Sequence, residues 1–443
     1  MSRRSWTSLP FSVQWRSALV KLPRFVPTQV LNFTNPEGPY PVILNLTGRD
    51  GKHKIPLYVF IPPSLTHPPD GSWEPAPIVL DFHGGGFFLG GCLEQAPFCA
   101  LMARRLGAIV ISVDYRMAPA DPFPAALEDA EDVLRAIFDS TSDSGKQLRS
   151  GILANLYGPV KNAKEEGDER DLLDTDRVAI SGFSSGANIA LNLGMHIPET
   201  LLKPFEHIMG TPTSKSGWPS PIPHYPQRRP VALLIFYAPF DLRLLPSERP
   251  PAPAPNAPNV SEAPPNWWNS MNIGDLLAET YVSRELSAHP RASPGLLDPN
   301  HEVEVEMDLY PPLKAEESET LNTPDRKMTT KSTALHPFTR ILLVLPAIDN
   351  LTVQGEEWAS KVDKAGRGAQ LSVRRVEGVR HGWTQMPDGW LKESERQSKW
   401  AVFEDAVQFS QQVWNREESG TERPSQAEVN EDRRQSAQVQ MSQ

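Results

Sequence analysis

Residues 178–193 read VAISGFSSGANIALNL, and this stretch decides the fold class. The apolar run at 178–180 predicts a short buried strand, and the residues from Ala187 onward predict a helix. Between them lies the pentapeptide GFSSG at 182–186, whose glycines allow a tight turn around Ser184. A serine on such a bend is forced outward, with the positive N-terminal end of the helix behind it. We therefore interpret Ser184 as a nucleophile; the alternative is a glycine-rich turn without a reactive serine.

Strand-like and helix-like runs alternate from about Tyr40 to Gln412, which predicts an α/β fold with a mostly parallel central sheet. Continuous apolar runs indicate that these strands are covered on both faces by flanking helices. Besides the strand at 178–180, we expect strands at 78–82, 108–113, 231–237, 341–345 and 371–376. We expect helices at 96–106, at 129–139 and from 187 onward.

The domain organisation is inferred from the 443-residue length and from the intervals in which proline residues cluster. One domain is expected over 41–415, preceded by a cap or surface segment at 1–40 and followed by a disordered tail at 416–443. Polar or proline-rich intervals near 140–176, 211–230, 246–265 and 301–333 lack the apolar residues for a core, so we expect them to be surface insertions or loops. The acid-free N-terminus also allows an organelle transit peptide as the alternative.

Composition excludes several classes of partner. A net charge of −10 argues against a nucleic-acid partner, which needs a surplus of lysine and arginine. No apolar run reaches the roughly 20 residues of a transmembrane helix, and no signal peptide is evident, so we expect a cytoplasmic protein. The two cysteines, Cys92 and Cys99, are expected to be buried free thiols, with a single bridge as the alternative.

A second glycine motif, HGGGF at 83–87, directly follows the predicted strand at 78–82. Three consecutive glycines allow backbone N–H groups to point into a cavity, where they can bind the oxyanion of a tetrahedral intermediate. A phosphate-binding loop is the alternative, but neither G-x-x-x-x-G-K-[ST] nor G-x-G-x-x-G is present there. We expect His83 to orient the loop by hydrogen bonding.

An acid and a histidine follow the serine in the chain. Asp349 lies just beyond the strand at 341–345, and His381 lies beyond the strand at 371–376. The order Ser184, Asp349, His381 is that of the α/β-hydrolase triad. The alternatives for the acid are Asp241, Glu356 and Glu357.

These motifs together resemble the hormone-sensitive-lipase family of α/β-hydrolases, which includes microbial esterases and arylacetamide deacetylase. The most specific match is DYRMAP at 114–119 with PFPAALED at 122–129, and ASP at 292–294 also resembles a family feature. The resemblance covers roughly residues 78–412, apart from the insertions. It implies an α/β-hydrolase fold with a cap region, and an oxyanion hole made by Gly84, Gly85, Gly86 and the N–H of Ser185.

The resemblance implies a carboxylesterase or lipase that acts on a small-molecule ester, with Ser184 as nucleophile, His381 as base and Asp349 as acid. An amidase, deacetylase or acyltransferase on the same scaffold is the alternative, and a binding protein without catalysis is a further one. Phe183 and Trp383 depart from the usual family residues, which leaves substrate preference open. No cofactor or metal is expected, and the sequence predicts neither the natural ester nor the oligomeric state.

Overall fold

The computed structural model describes residues 35–66, 74–157, 171–210, 217–224, 229–252, 273–307 and 328–415, together with residues 9–11, 13–15, 17 and 31. Their ten strands, in chain order, are β1 Val42–Thr47, β2 Lys54–Phe60, β3 Ala76–Phe82, β4 Ile109–Val113, β5 Leu173–Phe183, β6 Val231–Phe236, β7 Glu302–Met307, β8 Met328–Thr333, β9 Thr339–Ile348 and β10 Leu371–Arg380. Eight of these form one sheet, and β7 and β8 form a separate antiparallel pair.

The central sheet has the strand order β1-β2-β4-β3-β5-β6-β9-β10. The pairs β1–β2 and β2–β4 are antiparallel, and every pair from β4 to β10 is parallel. Parallel strands end at the same edge of a sheet, so the residues that follow β3, β5, β6, β9 and β10 meet there. This carboxyl edge carries all the predicted catalytic residues.

Seven helices of nine or more residues are described: α1 Ala96–Leu106, α2 Ala125–Phe138, α3 Asp143–Tyr157, α4 Ser185–Leu193, α5 Ile273–Tyr281, α6 Thr352–Lys364 and α7 Glu393–Asn415. Apolar residues of α2, α3, α4 and α6 pack on one face of the sheet. Those of α1 and α7 pack on the other face. Strands β3, β4 and β6 are buried at every position, because both of their faces are covered.

The predicted α/β architecture is confirmed. Each strand expected from the apolar runs is present, and most are longer than expected: the run at 178–180 lies inside the 11-residue β5, and that at 341–345 is the middle of β9. The added residues are mixed in polarity and pair with neighbouring strands. Hydrogen bonding to neighbouring strands therefore continues these strands beyond the apolar runs, where the side-chain pattern does not predict a strand.

Two of the intervals expected to be loops contain regular structure. The interval 140–176 includes helix α3, whose Leu148 and Ile152 are buried against the sheet, although charged residues dilute the helical pattern. The interval 301–333 supplies β7 and β8, and in β7 Val303 and Val305 are buried while Glu302 and Glu304 are exposed. Alternation of apolar and acidic residues is a strand pattern, so the expectation of a loop is wrong for 302–307. Residues 253–265 and the tail 416–443 lie outside the described residues.

Cys92 and Cys99 are both buried and form no disulfide bond, as predicted. Of the described helices, none combines the length and the apolar character that crossing a bilayer requires.

Candidate active site

Three polar side chains that follow parallel strands form a hydrogen-bonded chain. Ser184 follows β5, Asp349 follows β9 and His381 follows β10. His381 Nε2 lies 2.9 Å from Ser184 Oγ, and His381 Nδ1 lies 2.7 Å from Asp349 Oδ2. Both distances are in the normal range for hydrogen bonds. The structure therefore brings together the serine, acid and histidine that the sequence analysis selected.

The environment of each side chain suits proton transfer. Asp349 is buried, and its other carboxylate oxygen accepts a hydrogen bond from the backbone N–H of Leu351 at 2.9 Å. With Nδ1–H donating to this carboxylate, the imidazole presents the Nε2 lone pair to the serine hydroxyl. The His381 side chain is 38% exposed and faces open space beside Ser184. The arrangement can therefore take a proton from the serine and return it to a leaving group.

The alternative acids lie elsewhere. Asp241 forms an ion pair with Arg243 at 2.7 Å, and Glu356 forms one with Arg375 at 2.6 Å. The third alternative, Glu357, is exposed on α6. None of these three carboxylates contacts His381 among the described hydrogen bonds, whereas Asp349 does.

The turn around Ser184 is strained and closely packed. Ser184 has φ +51° and ψ −118°, a conformation that side-chain-bearing residues rarely adopt. A Cβ on Gly182 would lie 2.1 Å from the carbonyl oxygen of Gly186, and one on Gly186 would lie 2.1 Å from that of Phe82. The first residue of α4 follows at once, so the helix N-terminus lies directly behind the serine hydroxyl.

The glycine loop lies beside this turn because β3 pairs with β5, with Phe82 opposite Gly182. Gly85 and Gly86 line the same cavity as Ser184, while Gly84 does not. Gly85 has φ +128°, and a Cβ there would lie 1.9 Å from the carbonyl oxygen of Leu89, so only glycine is tolerated.

His83 is fully buried beneath the loop. Its Nδ1–H donates to the Gly84 carbonyl at 2.7 Å, and its ring stacks on Tyr115 with centroids 4.4 Å apart. The Tyr115 hydroxyl in turn donates to the His83 carbonyl at 2.8 Å. These contacts hold the loop from below, which is the position predicted for an orienting residue.

Two supporting residues were not found from the sequence. The ring of Tyr237, which follows β6, lies edge-on to that of His381 with centroids 4.9 Å apart, and its hydroxyl bonds Thr384. Tyr237 has φ +42°, which marks it as a constrained position. Only its place after a strand, at the edge that also carries Ser184, could have indicated this role.

Asp81 is the second-last residue of β3 and is fully buried. It accepts hydrogen bonds from Ser181 Oγ at 2.8 Å, Ser112 Oγ at 2.9 Å and Cys99 Sγ at 3.4 Å. Burial raises its pKa to about 6, against the effect of these three donors. Its place within the predicted strand at 78–82 gave no sequence signal for these contacts.

A cavity of about 1440 Å³ opens in front of Ser184 and His381. This volume exceeds the roughly 300–1,000 Å³ of an ordinary small-molecule pocket, so both halves of an ester can be enclosed. Apolar side chains form most of the wall, including Leu31, Phe87, Phe88, Leu244, Tyr281 and Trp390.

Three histidines meet at the amino edge of the parallel strands, on the far side from this cavity. One ring nitrogen each of His196, His224 and His336 lies within 4.8 Å of the other two. Sequence spacing gave no sign of this group, and no metal was predicted. Backbone N–H groups of Ser220 and Phe338 donate to Nδ1 of His196 and His336, at 3.0 and 3.2 Å. Each of these two neutral rings therefore carries its proton on Nε2, which leaves no lone pair there for a cation.

A family model described as alpha/beta hydrolase fold matches residues 79–300, half of the chain. The chain belongs to the α/β-hydrolase family. The resemblance to the hormone-sensitive-lipase type is thereby confirmed, and the curated relatives agree with it.

Two relatives illustrate the similarity of this α/β-hydrolase to known proteins. A 3-O-acetylpapaveroxine carboxylesterase of Papaver somniferum is 35% identical over 153 residues, which cover 34% of this chain and 42% of the relative. A carboxylesterase of Mycobacterium tuberculosis is 31% identical over 143 residues, 32% of this chain and 34% of the relative. The chain thus spans only about a third to two fifths of the length of these relatives.

Among solved structures, a hyperthermophilic esterase from the archaeon Pyrobaculum calidifontis aligns with a TM-score of 0.51 and 20% identity, over 92% of this chain and 96% of the other. A bacterial heroin esterase aligns with a TM-score of 0.50 and 18% identity, over 92% and 94% of the two chains. At such identities the likeness establishes the α/β-hydrolase fold.

Proposed function

We propose that this α/β-hydrolase is a serine carboxylesterase that hydrolyses carboxylic esters through an acyl-serine intermediate. The observation that carries the proposal is the hydrogen-bonded chain from Asp349 through His381 to Ser184 at the wall of a large apolar cavity. The relatives named carboxylesterases support the same activity.

In the first step, His381 Nε2 takes the proton of Ser184 as Oγ attacks the ester carbonyl. Asp349 keeps the ring in the required tautomer and stabilises the imidazolium that forms. Of the three glycines predicted for the oxyanion hole, we assign the role to the N–H groups of Gly85 and Gly86, because these two face the cavity, together with the N–H of Ser185. One such donor contributes about 3–4 kcal/mol to the stability of the transition state.

In the second half of the reaction, the imidazolium gives its proton to the departing alcohol, and the acyl group stays on Ser184. His381 then deprotonates a water molecule that attacks the acyl-serine. As the bond to the acyl group breaks, the imidazolium returns this proton to Ser184 Oγ and the acid is released. The exposure of His381 gives water a path to this position, which favours hydrolysis over transfer of the acyl group to another acceptor.

The test is hydrolysis of p-nitrophenyl acetate, butyrate, octanoate and palmitate by the full chain and by Ser184→Ala. We expect the substitution to lower kcat/KM by about 10⁴-fold or more. Ser150→Ala, at an exposed serine on α3, is the matched control and should leave turnover unchanged. The acyl chain length that gives the highest kcat/KM distinguishes an esterase from a lipase.

Equal turnover by Ser184→Ala and the wild type would refute the assignment of the nucleophile. Folded protein that cleaves no ester would point to an amidase, an acyltransferase or a binding protein, which anilides and acyl acceptors would then distinguish.

A further inference from the structure

Four cationic side chains line the cavity: Arg104, Arg249, Arg284 and Lys399. Three of them are neutralised by a carboxylate. Arg104 pairs with Glu37 at 3.0 Å, Arg284 with Glu248 at 2.5 Å and Lys399 with Asp388 at 2.8 Å. Within the described residues, Arg249 forms neither an ion pair nor a hydrogen bond, and its Nε is buried without a partner.

The acids whose negative charges interact most with Arg249 are Asp349, Asp275 and Asp241. Each of them already has another partner. Asp241 pairs with Arg243 at 2.7 Å, and Asp275 accepts from the N–H and hydroxyl of Ser247 at 3.0 and 2.5 Å. Both oxygens of Asp349 accept hydrogen bonds, from His381 and from Leu351. Among the residues that the structure describes, none accepts a hydrogen bond from the guanidinium of Arg249.

Arg249 keeps part of its surface exposed, but its Nε is buried without a partner. This partial removal of an unpaired guanidinium from water costs free energy, and it lowers the pKa of Arg249. A ligand that brings its own negative charge recovers that cost. The planar fork of an arginine matches the two oxygens of a carboxylate, and the remaining cavity wall is mostly apolar. Glu94 also lines the cavity, but it accepts a hydrogen bond from Gln385 at 3.3 Å.

We propose that Arg249 binds a free carboxylate on the substrate, so that the preferred esters are amphiphilic: an apolar chain with a cleavable ester and a separate carboxylate. This inference rests on the proposed esterase function and adds the substrate class. Monoesters of long-chain dicarboxylic acids have this chemistry. Arg249 is a specificity-determining residue in this assignment, and Ser184 remains the nucleophile.

The experiment compares mono-p-nitrophenyl suberate and sebacate with their methyl-capped diesters, which have the same chain without the charge. Shorter diacids are unsuitable because their carboxylate attacks the aryl ester intramolecularly. The readout is the ratio of kcat/KM for the charged ester to that for the capped ester. A hydrogen-bonded charge pair of this kind predicts a ratio of about 10 or more in the wild type, expressed mainly in KM.

Arg249→Gln should bring this ratio to about 1 or below, and Arg249→Lys, which keeps the charge and loses the fork, should restore part of it. Arg104→Gln is the matched control, because Arg104 lines the same cavity but is already paired; it should keep the wild-type ratio. A wild-type ratio near 1, an unchanged ratio in Arg249→Gln, or an equal loss in Arg104→Gln would overturn the assignment.

A binding measurement separates this inference from the proposed reaction. Calorimetry with Ser184→Ala should show monomethyl sebacate binding about tenfold more tightly than dimethyl sebacate, and Ser184→Ala with Arg249→Gln should lose that difference. If no ester is hydrolysed but this difference holds, the proposed function fails and the anion site stands. If esters are hydrolysed by Ser184 without any charge preference, the inference alone fails.

Discussion

Two arginines of this protein, the fully buried Arg291 and the partly buried Arg249, differ in how their charge is compensated. Arg291 is fully buried and its Nη2 lies 2.7 Å from Oε1 of the equally buried Glu131, although no N–H of Arg291 is aligned for a hydrogen bond. Its guanidinium also lies 4.2 Å from the centre of the Trp218 ring, and Glu131 binds Arg49 at 2.9 Å. Arg249, in contrast, has no ion-pair partner among the described residues.

The difference separates a charge that supports the fold from one that is free for a ligand. Removing one member of a buried pair leaves the other charge uncompensated, and the native state is penalised. Removing an unpaired charge relieves a penalty that the native state already carries. The cluster around Glu131 therefore stabilises the fold, whereas the cavity around Ser184 and Arg249 is the proposed site of the reaction.

The largest effect is expected when Asp349 and Asp241, two aspartates that each follow a strand, are replaced by asparagine and compared. Asp349→Asn should lower kcat by about 10⁴-fold, because an amide cannot hold His381 in the correct tautomer. Asp241→Asn should lower kcat by less than about tenfold, since Asp241 pairs with Arg243. Initial rates on p-nitrophenyl butyrate measure both, and similar losses in the two variants would remove the distinction.

A smaller effect is expected on stability. Arg291→Met should lower the free energy of unfolding by about 3–5 kcal/mol, because it leaves Glu131 buried without this partner. The matched change Arg249→Met should cost less than about 1 kcal/mol. Urea denaturation of the two variants measures the difference; an equal cost would mean that Arg249 is also part of the scaffold.

The smallest effect concerns Asp81, a buried acid surrounded by neutral donors. Its folded-state pKa of about 6 lies above the unfolded value of 3.8, so ionisation is disfavoured in the native state. The stability of the wild type relative to Asp81→Asn should therefore be greatest below about pH 4. It should fall by about 2–3 kcal/mol as the pH rises to about 7. Denaturation of both proteins across this range checks the sign, and a difference independent of pH would contradict it.

The six strands of the parallel part of the sheet, and the positions of the three polar residues that meet at its edge, could be predicted from the sequence because their signals are local. The apolar run before Ser184 and the glycines around it specify a strand, a turn and a helix without reference to the rest of the chain. The acid and the histidine followed from chain order, since each comes after a strand that a parallel sheet brings to the same edge.

Features that depend on distant contacts could not be predicted in this way. Arg249 lies in a proline-rich interval that was read as a loop, and its significance is the lack of a partner, which no sequence pattern encodes. The histidines at 196, 224 and 336 share no spacing and meet only through the fold. Helix α3 was missed because its charged residues conceal the buried Leu148 and Ile152.

The contact between the glycine loop and the turn at Ser184 has a consequence for engineering. Main chain meets main chain there, since Gly186 has no room for a Cβ beside the Phe82 carbonyl. No side chain acts as an adjustable spacer between nucleophile and oxyanion donors, so mutagenesis cannot widen that gap gradually. Libraries that aim at bulkier substrates should instead vary Leu244 and Trp390, which line the cavity outside the serine turn and the glycine loop. Smaller side chains at these two positions would enlarge the cavity without changing the backbone around Ser184.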